Sequence, residues 1–251
     1  MLHHNTEGHF RFLQGIEPYS CGVIADENYE LVRVTMLRNT QWEDGFNKIY
    51  QHLSNQPHHM RALASIELRS PKVRTMQEFV DFNSQYMNVI NKFGLLANDL
   101  NPIARTNVVP DQCEITETTV HAFSYTRRRE NNGPKSFVVA GSGELRGSDL
   151  DSMNIVRRHD TSQEGLKEKV VFVRDVMSDR LSGLGVSWSD VTSISIYTVQ
   201  PVNSILNESL RHFIRDADRF GLQVFFTRPP VFDIEFEMDA RGVYFEELLS
   251  S

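Results

Sequence analysis

Between Leu31 and Leu37 the chain alternates Val32, Val34 and Met36 with Arg33, Thr35 and Leu37, the two-residue period of a strand whose faces differ. The period then changes. Trp42, Phe46, Ile49, Tyr50 and Leu53 recur at steps of three and four, which lays apolar side chains along one side of a helix. Leu63 to Leu68 predicts another strand. Phe79, Phe82, Tyr86, Val89, Ile90 and Phe93 form one stripe of a helix over Met76 to Phe93, with Gly94 as its closing residue. Strands near Ile103 to Val109 and Ile115 to Tyr125 complete this half.

The second half repeats the order. Phe137 to Ala140 reads as a strand, and Gln163 to Leu181 as a helix with Leu166, Val170, Val173, Val176, Met177 and Leu181 facing inward. A strand over Val191 to Val199, a helix from Ser204 to Phe220, and strands over Leu222 to Thr227 and Val231 to Ala240 follow. The echo extends to residues. Ser65-Ile66-Glu67-Leu68-Arg69-Ser70-Pro71 and the closing Phe93-Gly94-Leu95 return as Ser195-Ile196-Tyr197-Thr198-Val199-Gln200-Pro201 and Phe220-Gly221-Leu222. An interval near 130 residues is too long for a solenoid repeat and describes a domain duplicated in tandem. Thr126 to Lys135, rich in charge, Asn, Gly and Pro, marks the join, so the expected domains are 1–127 and 128–251. Strands and helices in this order give an α+β fold with the helices packed on one face of a mixed sheet.

Composition narrows the partners. A net charge of −7 supplies no basic field for a phosphate backbone, so no nucleic-acid partner is expected. The start Met1-Leu2-His3-His4-Asn5-Thr6 has neither region of a signal peptide, and no apolar run reaches membrane-span length; a cytoplasmic protein without a membrane partner is expected. The two cysteines, Cys21 and Cys113, are read as free thiols. His3-His4 and His58-His59 lack ligand spacing, since neighbours on a strand point to opposite faces, and no metal or organic cofactor is expected.

Several short segments then point one way. Pro18-Tyr19-Ser20, Phe82-Asn83-x-x-Tyr86, Pro102-Ile103-Ala104-Arg105-Thr106-Asn107-Val108, Leu184 to Val191 and Asp233-Ile234-Glu235-Phe236-Glu237 fall in an order that resembles the RidA superfamily, once in each half. The resemblance implies two chorismate-mutase-like domains, a trimer with a pseudo-hexameric arrangement, and clefts between neighbouring domains. It also implies hydrolysis of a small 2-imino or enamino carboxylic acid to a 2-keto acid and ammonia. Fold alone does not fix activity. A chorismatase-like hydrolase of a cyclic carboxylate and a non-catalytic ligand-binding protein are the other readings.

Matched residue by residue, Arg105 is the expected carboxylate anchor, because a guanidinium fork meets a carboxylate with two parallel hydrogen bonds. Tyr19 and Gly141 are expected to border the substrate. Glu235 is expected to position the attacking water, a task a carboxylate performs by taking and returning a proton. Asp233, Glu235, Glu237 and Asp239 alternate, so a regular strand would put all four on one face. Neither Arg219 nor Arg228 matches Arg105 in the second half, and the first half has no clear counterpart of Glu235. The small step Ala140-Gly141 belongs to the second half alone, and Asn107 stands where many members carry a cysteine. A single site shared between the halves is the expectation.

Overall fold

A computed structural model describes residues 1–54, 59–112 and 114–250; His58 and Cys113 lie outside the described residues. The first half contains β1 (Leu2–Asn5), β2 (Phe10–Leu13), β3 (Gly22–Ala25), β4 (Tyr29–Gln41), α1 (Trp42–Ser54), β5 (Leu63–Arg69), α2 (Met76–Lys92), β6 (Ala104–Pro110) and β7 (Thr119–Arg128). The second contains β8 (Phe137–Gly143), α3 (Gln163–Gly183), β9 (Ser193–Thr198), α4 (Asn203–Leu206), β10 (Gln223–Arg228), β11 (Glu237–Gly242) and β12 (Phe245–Leu249). The strand order is β1-β2-β3-β8-β11-β9-β10-β6-β5-β7-β4-β12. Read outward from the β10–β6 junction, the two sides run β9-β11-β8 and β5-β7-β4, the same order of connections. The junction itself is short, with Thr227 opposite Pro110 and Arg228 opposite Val109.

Two apolar clusters explain the layers. Val32, Val34, Ile66, Leu68 and Phe123 pack against Phe46, Ile49, Phe82, Tyr86 and Ile90 of α1 and α2. Ile194, Ile196, Phe236 and Met238 pack against Leu166, Val170, Val173 and Met177 of α3, with Ile205 and Leu210 beyond. A third cluster, including Phe10, Phe12, Val23, Leu31, Ala64, Ala104 and Ala140, lies between the helix-free faces of the two halves. Helices therefore cover one face of each half, and the other faces meet within the chain.

α2 begins where the sequence dictates. Thr75 Oγ1 accepts from the Glu78 amide at 3.2 Å, and Glu78 Oε2 accepts from the Thr75 amide at 2.8 Å, a reciprocal cap that satisfies two otherwise unpaired donors. Gly94 leaves it at φ 62°, a conformation without penalty for glycine.

Two expectations change. The helix expected over Ser204 to Phe220 is α4 followed by a π turn at Asn207–Arg211, a short turn His212–Ile214 and a 3-10 stretch Arg215–Phe220. Arg215 at φ 44° ends the regular run. The strand expected over Val231 to Ala240 begins only at Glu237, because the amides of Glu235 and Phe236 both donate to the buried Glu144 carboxylate, at 2.7 and 3.0 Å. Successive amides of an extended strand point oppositely, so this shared acceptor turns the chain. The hairpin β1–β2 and the strand β12 carried no clear period. No helix among the described residues is long and apolar enough to cross a membrane.

Candidate active site

The cavity between the halves, about 260 Å³, is bordered by Tyr19, Arg105 and Asn107 from the first half and by Gly141, Arg180 and Glu237 from the second. Its apolar walls include Ile16, Met76, Phe79, Leu145, Val231 and Ile234. Polar and apolar groups share the lining nearly evenly, and charged side chains converging in a concave cleft suit a small polar molecule.

Arg105 projects from β6 toward α2 and is 3% exposed. One amino group, Nη2, donates to Asn83 Oδ1 at 2.6 Å. The guanidinium carbon lies 4.4 Å from the Tyr19 ring centre and 4.7 Å from that of Tyr86, with Phe79 and Phe82 each at 5.7 Å. Aromatic faces attract the cation and replace part of its lost hydration. Burial nonetheless pushes the guanidinium below its ordinary value, with Tyr19, Tyr86 and Glu237 acting against it. Nη1 is buried and finds no hydrogen-bond partner among the described residues. A buried donor of this kind is costly unless a ligand supplies the acceptor.

Tyr19 sits on the β2–β3 loop, which Asn101 and Pro102 fasten: Asn101 Nδ2 donates to the Pro18 carbonyl at 2.8 Å and Ser20 Oγ to the Pro102 carbonyl at 2.9 Å. Both anchors lie just before β6, so the tyrosine and the arginine are positioned together.

Glu237, 6% exposed, opens β11. Burial first, then Asp239 and Glu144, push its carboxyl up to about 8, while Arg105 and Arg180 act in the opposite direction. Such a group carries a proton at neutral pH and can give it up in the same range. Gly141 permits its approach: a Cβ there would stand 2.3 Å from Glu237 Oε1 and 3.1 Å from Thr106 Cγ2. Thr106 Oγ1 receives the Gly141 amide at 3.1 Å and donates to Asp239 Oδ2 at 3.0 Å, tying β6, β8 and β11 into one frame. The Tyr197 hydroxyl also donates to Asp239 Oδ2, at 2.8 Å. Arg180 Nη1 donates to the carbonyl of Ala140 at 2.9 Å, and lies 3.4 Å from that of Gly141.

The structure brings Arg105, Tyr19 and Gly141 together at this cavity, and places Glu235 elsewhere. Glu235 Oε2 accepts from Gln200 Nε2 at 2.8 Å and does not border the cavity; the acid that does is Glu237, two residues on. The turn imposed by Glu144 is the reason. Glu144 is fully buried against Lys169, 3.0 Å away, and its grip on two successive amides breaks the alternation that would have aligned all four acids. Asp233 is likewise removed, at φ 71° and paired with Arg158 at 2.9 Å. Only Glu237 and Asp239 share a strand face. Asn107 and Arg180 were not among the expected site residues. The i, i+2 spacing from Arg105 was the available signal for Asn107. No group of His, Cys, Asp and Glu side chains among the described residues is placed to hold a metal ion.

An acid raised toward neutrality and a buried cation bordering one cavity form the arrangement that proton transfer on a small anion requires. Comparison with known proteins narrows this: residues 2–247 match the family model of 2-aminomuconate deaminase CnbZ, and the chain belongs to that family. A relative from Comamonas testosteroni, 2-amino-5-chloromuconate deaminase, is 37% identical over 246 residues, 97% of each chain. Among solved structures, a Thermotoga maritima protein described as an endoribonuclease is 18% identical, with a TM-score of 0.33 over 43% of this chain and 79% of that one. A chorismatase is 12% identical, with a TM-score of 0.45 over 91% and 78%. Neither of these two likenesses bears on function.

Proposed function

We propose that the chain is a hydrolytic deaminase of 2-aminomuconate or a close analogue, working at the cavity between its halves without metal or organic cofactor. The observation that carries this reading is the pairing of Glu237, protonated at neutral pH, with the buried cation Arg105 in one cleft. The family and the Comamonas relative name the substrate class. The substrate is a conjugated six-carbon enamine with a carboxylate at each end. Arg105 Nη1 receives the carboxylate next to the amino-bearing carbon, and that salt bridge relieves the buried unpaired donor. Glu237 protonates the enamine carbon, giving the iminium tautomer. Its carboxylate then takes a proton from water as the oxygen adds to the iminium carbon, returns it to nitrogen, and takes the remaining hydroxyl proton as the carbonyl forms and ammonia leaves. Enamine and water become 2-oxo acid and ammonia, with the acid restored. Arg180 stabilises the carboxylate form of Glu237 during the cycle.

Two further parts belong to this reading. The matching strand order supports residues 1–127 and 128–251 as copies of one chorismate-mutase-like, RidA-like unit. A homotrimer is supported by β10, where Val224, Phe225 and Phe226 are exposed on a strand of a buried sheet. The direct test uses purified protein and freshly generated 2-aminomuconate, following ammonia release and the loss of the conjugated absorbance. Release faster than in buffer, insensitive to chelator, is expected. Release at the buffer rate would overturn the reading.

A further inference from the structure

Asn107 is 4% exposed, borders the cavity, and holds its amide in one orientation. Arg74 has only donors, and its Nη1 donates to Ser70 Oγ at 2.7 Å. Ser70 Oγ in turn donates to Asn107 Oδ1 at 2.9 Å. Arg74 is itself fixed, by Thr118 Oγ1 at 3.0 Å and by its backbone, which exchanges bonds with Pro230 and Phe232 at 2.9 Å each. With the oxygen committed, Asn107 Nδ2 is the free end. It is buried without a partner among the described residues, and so is Arg105 Nη1 on the same face of β6. With the amide reversed, Ser70 Oγ would accept from both Arg74 and Asn107, leaving its own proton and Asn107 Oδ1 without a partner among the described residues, so the flipped form is disfavoured.

We propose that Asn107 receives the second carboxylate of the substrate, the one remote from the amino-bearing carbon, and so selects dicarboxylates. The inference rests on the deaminase reading for which end reacts. Arg105, Arg180 and Glu237 gather around Tyr19 and Gly141, whereas Asn107 is held by Ser70 and the Arg74–Pro230 contact. Residues two apart on a strand are separated by about 7 Å. The carboxyl carbons of an extended six-carbon dicarboxylate lie roughly 6 Å apart, from five bonds of about 1.5 Å in zigzag. Met76 and Phe79 supply apolar wall for the diene.

Two non-reacting probes isolate the second carboxylate: trans,trans-muconate carries both, and sorbate has the same diene with one. Wild-type protein should bind muconate about tenfold or more tightly than sorbate, the scale of one amide–carboxylate hydrogen bond. Asn107→Ala should remove most of that gap while leaving sorbate affinity within about threefold. Asn107→Asp, of the same shape, should invert the preference by like-charge repulsion. Ser70→Ala, which lines no part of the cavity, should narrow the gap by freeing the amide. A wild-type protein without the gap, equal weakening of both probes, or an undiminished gap in Asn107→Ala would overturn the proposal. Ammonia release from 2-aminomuconate by the wild type reports separately on the deaminase reading. A muconate gap without that release would leave Asn107's role standing and remove the chemistry.

Discussion

The strands β6 and β10 occupy matching places in the two halves and have opposite contents. β5 sets Ser65 opposite Ala104, and β9 sets Ser195 opposite Gln223. Counting from those pairs, Arg105, Thr106 and Asn107 correspond to Val224, Phe225 and Phe226. The first three are buried and polar; Phe226 is 64% exposed. The antiparallel neighbours complete the contrast, because Glu67 faces Ala122 while Tyr197 faces Glu237. Ala122 thus holds the place of the acid in the first half. One half holds the cation and amide, the other holds the acid, and the reciprocal positions are apolar. A buried cation without an anionic partner is expensive, so a second Arg105 would destabilise the fold unless it too served a site.

Breaking the acid should have the largest effect. Glu237→Gln keeps the shape and loses the transferable proton, so kcat should fall by roughly 10² to 10⁴ with KM little changed. A loss below tenfold would detach Glu237 from the chemistry. Breaking the cation comes next. Arg105→Ala should cost on the order of 2 to 3 kcal/mol in kcat/KM, and Arg105→Lys somewhat less, since the charge remains and the planar fork does not. If Arg105→Lys matched wild type, the fork would have no role in binding.

Much of this architecture was legible because it rests on periodicity. The stripe from Phe79 to Ile90 predicts α2, and the Thr75 and Glu78 pair starts it. The halves could be matched by Ser65-Ile66 and Ser195-Ile196, which now fix the β5 and β9 registers. Arg105, Tyr19 and Gly141 meet at the cavity because local segments carry them there. What a linear pattern could not show was the turn at Glu235, since its cause, Glu144, lies 91 residues away and is drawn into the core by Lys169. Asn107 was legible only as a departure, because its meaning depends on which way Ser70 and Arg74 point.

The acid also leaves a signature in stability. Its folded value, about 8, lies above the ordinary 4.5, so between those values the folded chain holds a proton that the unfolded chain has released. Stability from this group is complete below about pH 4.5 and is lost as pH rises through about 8. Glu237→Gln is neutral throughout. Its stability relative to wild type should rise by on the order of 4 kcal/mol between pH 5 and pH 8.5. Asp239 and Glu144, also raised mainly by burial, titrate in both proteins and largely cancel in the difference. Denaturant unfolding across this range checks it; a constant difference would place the Glu237 proton elsewhere.

The smallest effect expected is at Glu235, and it tests the contrast most sharply. Glu235 and Glu237 are two residues apart, and a regular strand would make them interchangeable neighbours on one face. The bond from Gln200 holds Glu235 outside the cavity, and its backbone, not its carboxylate, is what Glu144 and Thr198 engage. Glu235→Gln preserves that backbone and leaves an amide beside Gln200. Its kcat and KM should stay within about twofold of wild type, the range expected of a partly exposed hydrogen bond remote from the chemistry. Measured beside Glu237→Gln under the same conditions, a large loss at Glu235 with none at Glu237 would mean that the strand regains its alternation when substrate binds.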